Sequence, residues 1–185
     1  MIPKKLPERS IVVQKYTYSP PKVKASTKLV PVIDGQNRAV CSFKRVYNHF
    51  FERLADSLLG FDYVVQLDVL SSDGRLRFRG KKLPRWGRTQ YEITDCSSNE
   101  TYRITYKSWQ AVAPEFRITS NSGEYSVKKE PMGWAAFYDQ GVEAARWKMK
   151  TTEMFKTYLE IDDHCPIQEP AFFVCLFQCL FYIGK

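Results

Sequence analysis

The sequence has little of what marks a disulfide-held, metal-bound or enzymatic small protein. Its 185 residues contain five cysteines, an odd number without a tight cluster, which excludes a disulfide framework and reads as reduced thiols. It holds two histidines, and no Walker loop, GxGxxG, GxSxG or HExxH occurs. His49 stands beside Phe50 and Phe51 with no nucleophile nearby, and His164 sits in Asp162-Asp163-His164-Cys165, a spacing that matches no known metal site. No catalytic residue, metal ligand or cofactor is therefore expected. The N-terminus MIPKKLPERS lacks the apolar stretch of about 7–15 residues that a signal peptide needs, so the expected address is cytoplasmic. Ten prolines and nine glycines exclude collagen-like or low-complexity character.

Aromatics are abundant, with 12 Phe, 11 Tyr and 4 Trp, and 44% of residues are hydrophobic. Such a chain can bury a sizeable core, and its length fits one domain over 1–185, with 1–10 expected as a frayed tail. The formal charge of +8 is unevenly spread. Lys4, Lys5, Arg9, Lys15, Lys22, Lys24 and Lys28 make the leading segment basic. A second concentration, Arg75 to Arg88, holds Arg75, Arg77, Arg79, Lys81, Lys82, Arg85 and Arg88 with Trp86 among them and no anion. Either concentration suits an anionic partner, lipid headgroup or nucleic acid, without choosing between them.

Hydrophobic periodicity supplies the architecture. Tyr47 to Leu59 places Phe50, Leu54 and Leu58 on one stripe and predicts a short amphipathic helix over 47–59. From Phe61 onward, extended segments meet at turns near Asp73-Gly74, Ser97-Ser98-Asn99, Ser122-Gly123 and Gly141. A last strand is expected over 151–161. Tyr102, Ile104 and Tyr106 alternate with Arg103, Thr105 and Lys107, so each strand has one buried and one wet face, which excludes a parallel α/β sheet. Ten or more antiparallel strands manage their edges most simply by closing into a barrel.

The run Pro170 to Ile183, PAFFVCLFQCLFYI, has Gln178 as its only clearly polar member. As a helix it spans about 21 Å, short of the roughly 30 Å of a bilayer core. A helix apolar all round must be buried on all sides. The interior of the barrel is the favoured place, ahead of a lipid-inserted hairpin or a helix packed on an open sheet. Asp162 and Asp163 are expected to line its start, and Cys175 and Cys179 to act as small packing groups on one face.

The hairpins YEITDCSSNETYRITY, FRITSNSGEYSVKK and FYDQGVEAARWKMK, and the tail EIDDHCPIQEPAFFVCLFQCLFYIGK, resemble the tubby C-terminal-like superfamily, which also holds the phospholipid scramblases and the LURP-one-related proteins. The resemblance covers roughly 25–185, and the segment 24–65 looks most like compact bacterial, Bacillus-type members. It implies a mainly β (α+β) fold, a closed antiparallel barrel of about twelve strands around the helix, and no catalysis. It further implies anionic phospholipid binding through exterior cations, as in tubby proteins. The scramblases' Cys-rich segment and acidic Ca²⁺ loop have no counterpart here, which argues against scrambling.

On a strand, Arg75, Arg77, Arg79 and Lys81 project from one face, with Leu76 and Phe78 turned inward. With Lys82, Arg85, Trp86 and Arg88 they form the candidate headgroup site, since Trp prefers the membrane interface and each cation contributes about 1 kcal/mol there. Two other readings stay open: single-stranded nucleic acid, ranked lower, and a solvated barrel exterior whose arginines pair with neighbouring carboxylates. The partner is thus an anionic phospholipid surface, at the inner face of the membrane, or a protein. The alternative function is an interaction barrel with no small ligand.

Overall fold

The computed structural model describes residues 13–47, 65–83, 89–107 and 113–183. The helix expected over 47–59, the tail over 1–10, and Arg85, Trp86 and Arg88 lie outside the described residues, apart from Tyr47. Twelve antiparallel strands follow one another around a closed barrel: β1 (Val13–Tyr18), β2 (Val30–Asp34), β3 (Ala39–Arg45), β4 (Gln66–Ser71), β5 (Leu76–Leu83), β6 (Gln90–Asp95), β7 (Thr101–Tyr106), β8 (Glu115–Thr119), β9 (Glu124–Lys129), β10 (Ala135–Asp139), β11 (Val142–Lys150) and β12 (Lys156–Asp162). One helix, α1 (Pro170–Phe181), runs through it.

The alternation read from the sequence is the reason for closure. Tyr102 and Ile104 of β7, Phe116 and Ile118 of β8, and Tyr125 and Val127 of β9 all point inward and are buried. The turns have the backbone that their residues favour: Gly74 and Gly141 have φ of 83° and 85°, and Asn99 has φ of 60°. Asn99 is thus a hairpin-turn residue.

Every residue of α1 from Ala171 to Phe181 is buried. Phe173, Phe177 and Phe181, four apart, stack at 6.2 Å centroid spacings, and Trp147 of β11 stacks on Phe177 and Phe181 at 5.8 and 5.7 Å. Cys175 and Cys179, on another face, lie against Gly80 of β5. Stacked rings thus face β11, while toward β5 the two thiols share their face with Phe172, whose ring meets Phe78 edge-on at 5.8 Å. Gln178 finds a partner inside the barrel: its Nε2 donates to Tyr18 Oη at 3.0 Å, and Trp147 Nε1 donates to the same oxygen at 2.8 Å.

Three local expectations are corrected, and one is refined. The segment 151–161 is not one strand. Thr151–Glu153 form a 3₁₀ turn, and Met154 and Phe155 adopt positive φ (54° and 64°), so β12 starts only at Lys156. Asp162 and Asp163 lie in the segment that leads into α1, without a side-chain cap to it. Gln168 Nε2 instead donates to the carbonyl oxygens of Asp162 and Cys165, at 2.9 and 2.7 Å, and organises the loop before Pro170. The helix ends at Phe181, because the N–H groups of both Tyr182 and Ile183 donate to the Gln178 carbonyl. Arg75, finally, precedes β5 and lies in the turn.

β1, upstream of the segment on which the family resemblance rested, closes the barrel between β12 and β2. It shares six residue pairs with β12 and two with β2. Asp34 N–H bonds Arg38 O on the β3 side, so alternation along β2 turns the nitrogen of Pro31 toward β1. Proline is tolerated there because no ladder bond is lost at an unpaired edge.

Candidate functional site

The antiparallel order sorts the connections between strands into two ends. The turns β2–β3, β4–β5, β6–β7, β8–β9 and β10–β11 lie at one end with the segment leading into α1. The remaining connections lie at the other, with the end of α1.

β5 runs between the two ends and positions most of the expected cations. Arg75 lies at the first end, where its Nε donates to Asp73 Oδ2 at 2.6 Å. These bonds, led by that from the Ser71 hydroxyl, hold the Asp73 carboxyl down at about 2. Arg77 grips Glu169 with Nε and Nη2, both at 2.6 Å, and gives Nη1 to Asp95 at 2.5 Å and to the Ser97 hydroxyl. It therefore ties the wall of the barrel to the residue that begins α1. Arg79 makes a two-pronged pair with Asp68 at 2.7 and 2.9 Å. Lys81 Nζ lies 3.6 Å from Glu92. The three cations from Arg77 to Lys81 thus face four carboxylates, and the two guanidiniums are geometrically committed.

A net excess of positive charge lies elsewhere. Each connection can be counted with the strand residue on either side of it. Among the described residues, the first end then holds nine carboxylates and two arginines, and the second holds eight cations and three carboxylates. The acidic end includes Asp34, Asp95, Asp139, Asp162 and Glu169; the basic end includes Lys22, Lys24, Lys28, Lys107, Lys150 and Lys156. Lys82, one residue inside β5, adds to the basic end. The helix has no acidic residue in its first turn and no basic one in its last, so the two rims complement its dipole from outside, acid facing the N-terminus.

Sequence reading marked Lys22, Lys24 and Lys28 as part of a basic segment but missed that Lys107, Lys150 and Lys156 share their end. The signal was available. Once the turns of a meander are numbered, alternate turns fall at the same end.

The described histidine, His164, assembles no site, and His49 lies outside the described residues. His164 contacts the Glu143 carbonyl at 3.1 Å and lies 3.8 Å from Asp163, and no group of three His, Cys, Asp or Glu able to hold a metal occurs among the described residues. Burial pushes the thiols of Cys41 and Cys165 up to about 12 and about 11, so they carry little thiolate at neutral pH. Among the described residues, no helix is long and apolar enough to cross a membrane.

Comparison with known families gives one match, the Tubby C-terminal like domain, over residues 16–183. That span includes the second half of β1 and so starts upstream of the 25–185 read from the sequence. Searches among curated proteins and among solved structures found no match.

Proposed function

Because the chain belongs to the Tubby C-terminal like family, whose members are generally non-enzymatic, we propose that it is a binding module that docks end-on to anionic phospholipid surfaces. Contact is made through the basic rim, at the cytoplasmic face of a membrane. The observation that supports this reading is the axial separation of charge, which gives one end of the barrel a field that attracts an anionic surface. About 1 kcal/mol per lysine near such a surface makes several together sufficient for reversible attachment, which weakens as salt screens the field.

Lys22, Lys24, Lys28 and Lys82 form the contact, and Arg85, Trp86 and Arg88 are kept within it on sequence grounds. Lys81 lies at its border. Arg75, Arg77 and Arg79 have carboxylate partners that a headgroup must displace, so they contribute least.

Sedimentation with phosphatidylcholine vesicles, with and without phosphatidylserine, tests the reading. Binding is expected on the anionic vesicles only. Reversal of Lys22, Lys24 and Lys28 to Glu should abolish it, and Arg38→Ser with Arg75→Ser at the far end should not. Absence of binding at low salt, or binding indifferent to the reversal, rejects the lipid reading and leaves that of an interaction barrel without a small ligand.

A further inference from the structure

The barrel closes through its shortest seam. β1 and β2 share only the pairs Tyr16–Asp34 and Thr17–Ile33, whereas every other neighbouring pair of strands shares four or more. Where their pairing stops, a groove of about 370 Å³ lies along the seam, within the size range of small-ligand sites of about 300–1,000 Å³. Its walls include Thr17, Val30, Pro31 and Ile33, with Tyr18 at its floor. Asn37 borders it from the acidic end and Lys156 from the basic end.

Three features decide what such a groove accepts. Tyr18 is a fixed floor: its hydroxyl receives hydrogen bonds from Trp147 and Gln178, and its ring meets Phe43 edge-on at 5.3 Å. The site is therefore formed before anything binds, which lowers the ordering cost. The wall is a poor template for an added peptide strand, because Pro31 offers no N–H on the side facing β1. An occupant that needs no hydrogen bonds along its length is favoured. Lys156, finally, has no carboxylate within ion-pair distance among the described residues, and its ammonium lies 5.5 Å from the centre of the Tyr158 ring. One end of a mainly apolar groove is thus marked by a lysine held in no close ion pair, although its charge is felt by the Glu153 carboxyl.

We propose that the seam binds a single-chain anionic amphiphile. The alkyl chain lies along Val30, Pro31 and Ile33, and the head is at Lys156. Fatty acids and lysophospholipids share this chemistry. The site takes up single molecules from solution and does not depend on the vesicle contact of the rim.

The test is a methyl and amide NMR titration of the whole chain with laurate and with lauroyl lysophosphatidate, both kept below micelle formation. Dodecyl maltoside serves as the uncharged control. Saturable shifts are expected at Thr17, Val30 and Ile33 for at least one anionic amphiphile, and which of the two binds identifies the source. Lys156→Glu and the uncharged head should each weaken binding about fivefold. Ile33→Asp should remove it, and Lys156→Glu, on an exposed side chain, keeps the test valid if Ile33→Asp fails to fold. The proposal is overturned if no saturable shift occurs, if the shifts centre elsewhere, or if neither Lys156→Glu nor the maltoside head alters affinity. Vesicle binding by the same variants is scored separately. Laurate binding that survives reversal of Lys22, Lys24 and Lys28 distinguishes failure of the rim from failure of the seam.

Discussion

Gly80 of the barrel wall and Cys179 of the helix face each other with no room for a β-carbon between them. A β-carbon built on Gly80 would lie 2.6 Å from Cys179 Sγ and 2.8 Å from Cys175 Sγ. Neither distance is compatible with van der Waals packing.

Gly80→Ala is therefore expected to destabilise the fold by about 1–3 kcal/mol, the range for an overfilled core. Combining it with Cys179→Ala should return part of that loss, so the two changes are non-additive. Urea denaturation of the four proteins of the cycle measures the coupling. Additive losses would show that the helix can move aside freely.

Arg77→Ala leaves Asp95 and Glu169 without the cation they share. With the guanidinium about a quarter exposed (26%), solvent screens part of the effect, and a loss of about 1–2 kcal/mol is expected. Arg77→Lys should recover little, because an ammonium cannot hold both Glu169 oxygens and Asp95 at once. Thermal denaturation of both variants decides this, and full recovery by lysine would deny the two-pronged geometry a role.

Acid should weaken the hairpin end first. Burial pushes the Asp95 carboxyl upward, but bonds from Ser97 and Ser98 outweigh it and leave it below the ordinary carboxylate range; Asp34 is lowered chiefly by the Arg38 N–H. A carboxyl lowered by folding adds stability above its unfolded value, near 4, and that stability is lost as pH falls through the lowered folded value. Carboxyl NMR should find Asp73 titrating at about 2. Asp95→Asn should flatten the fall in stability below about pH 4, and an unchanged slope would place the acid sensitivity elsewhere.

The thiols should differ sharply in reactivity. Cys96 is exposed, whereas Cys41, Cys165, Cys175 and Cys179 are buried. Burial raises the Cys96 thiol as well, so its labelling near neutral pH should be slow. Mass spectrometry after a short pulse of alkylating reagent should find one modified site in the native chain and five in denaturant. Early labelling of Cys175 or Cys179 would mean that the barrel opens readily.

Much of this architecture was legible because it is local. Turn residues such as Asp73-Gly74 and the alternation Tyr102, Arg103, Ile104 report their conformation within a few positions. Pro170 to Ile183 reports its burial by lacking a polar face. That the arginines pair with carboxylates was one of the readings kept open, but the partners were not all legible, since Arg77 and Glu169 are 92 positions apart and only closure of the barrel brings them together. Arg75 left the row of outward cations because the pairing of β4 with β5 shifts register between Val69 and Leu70, and no residue type announces such a bulge. The candidate headgroup site was placed on β5 because charges adjacent in sequence are easy to see. The rim gathers residues from separate turns and becomes visible only when the order of the strands is known.

The helix that fills the barrel is encoded after all twelve strands. During synthesis the sheet residues emerge without the side chains they enclose, and β1 waits for β12, its partner over six pairs. Such a chain has nothing to condense upon until its helix has been made, so folding should begin only once Pro170–Phe181 has emerged, with a high proportion of distant contacts and a correspondingly slow rate. A nascent chain arrested before Pro170 would then expose the apolar faces of the strands, a state that chaperones have to hold until Phe173, Phe177 and Phe181 arrive.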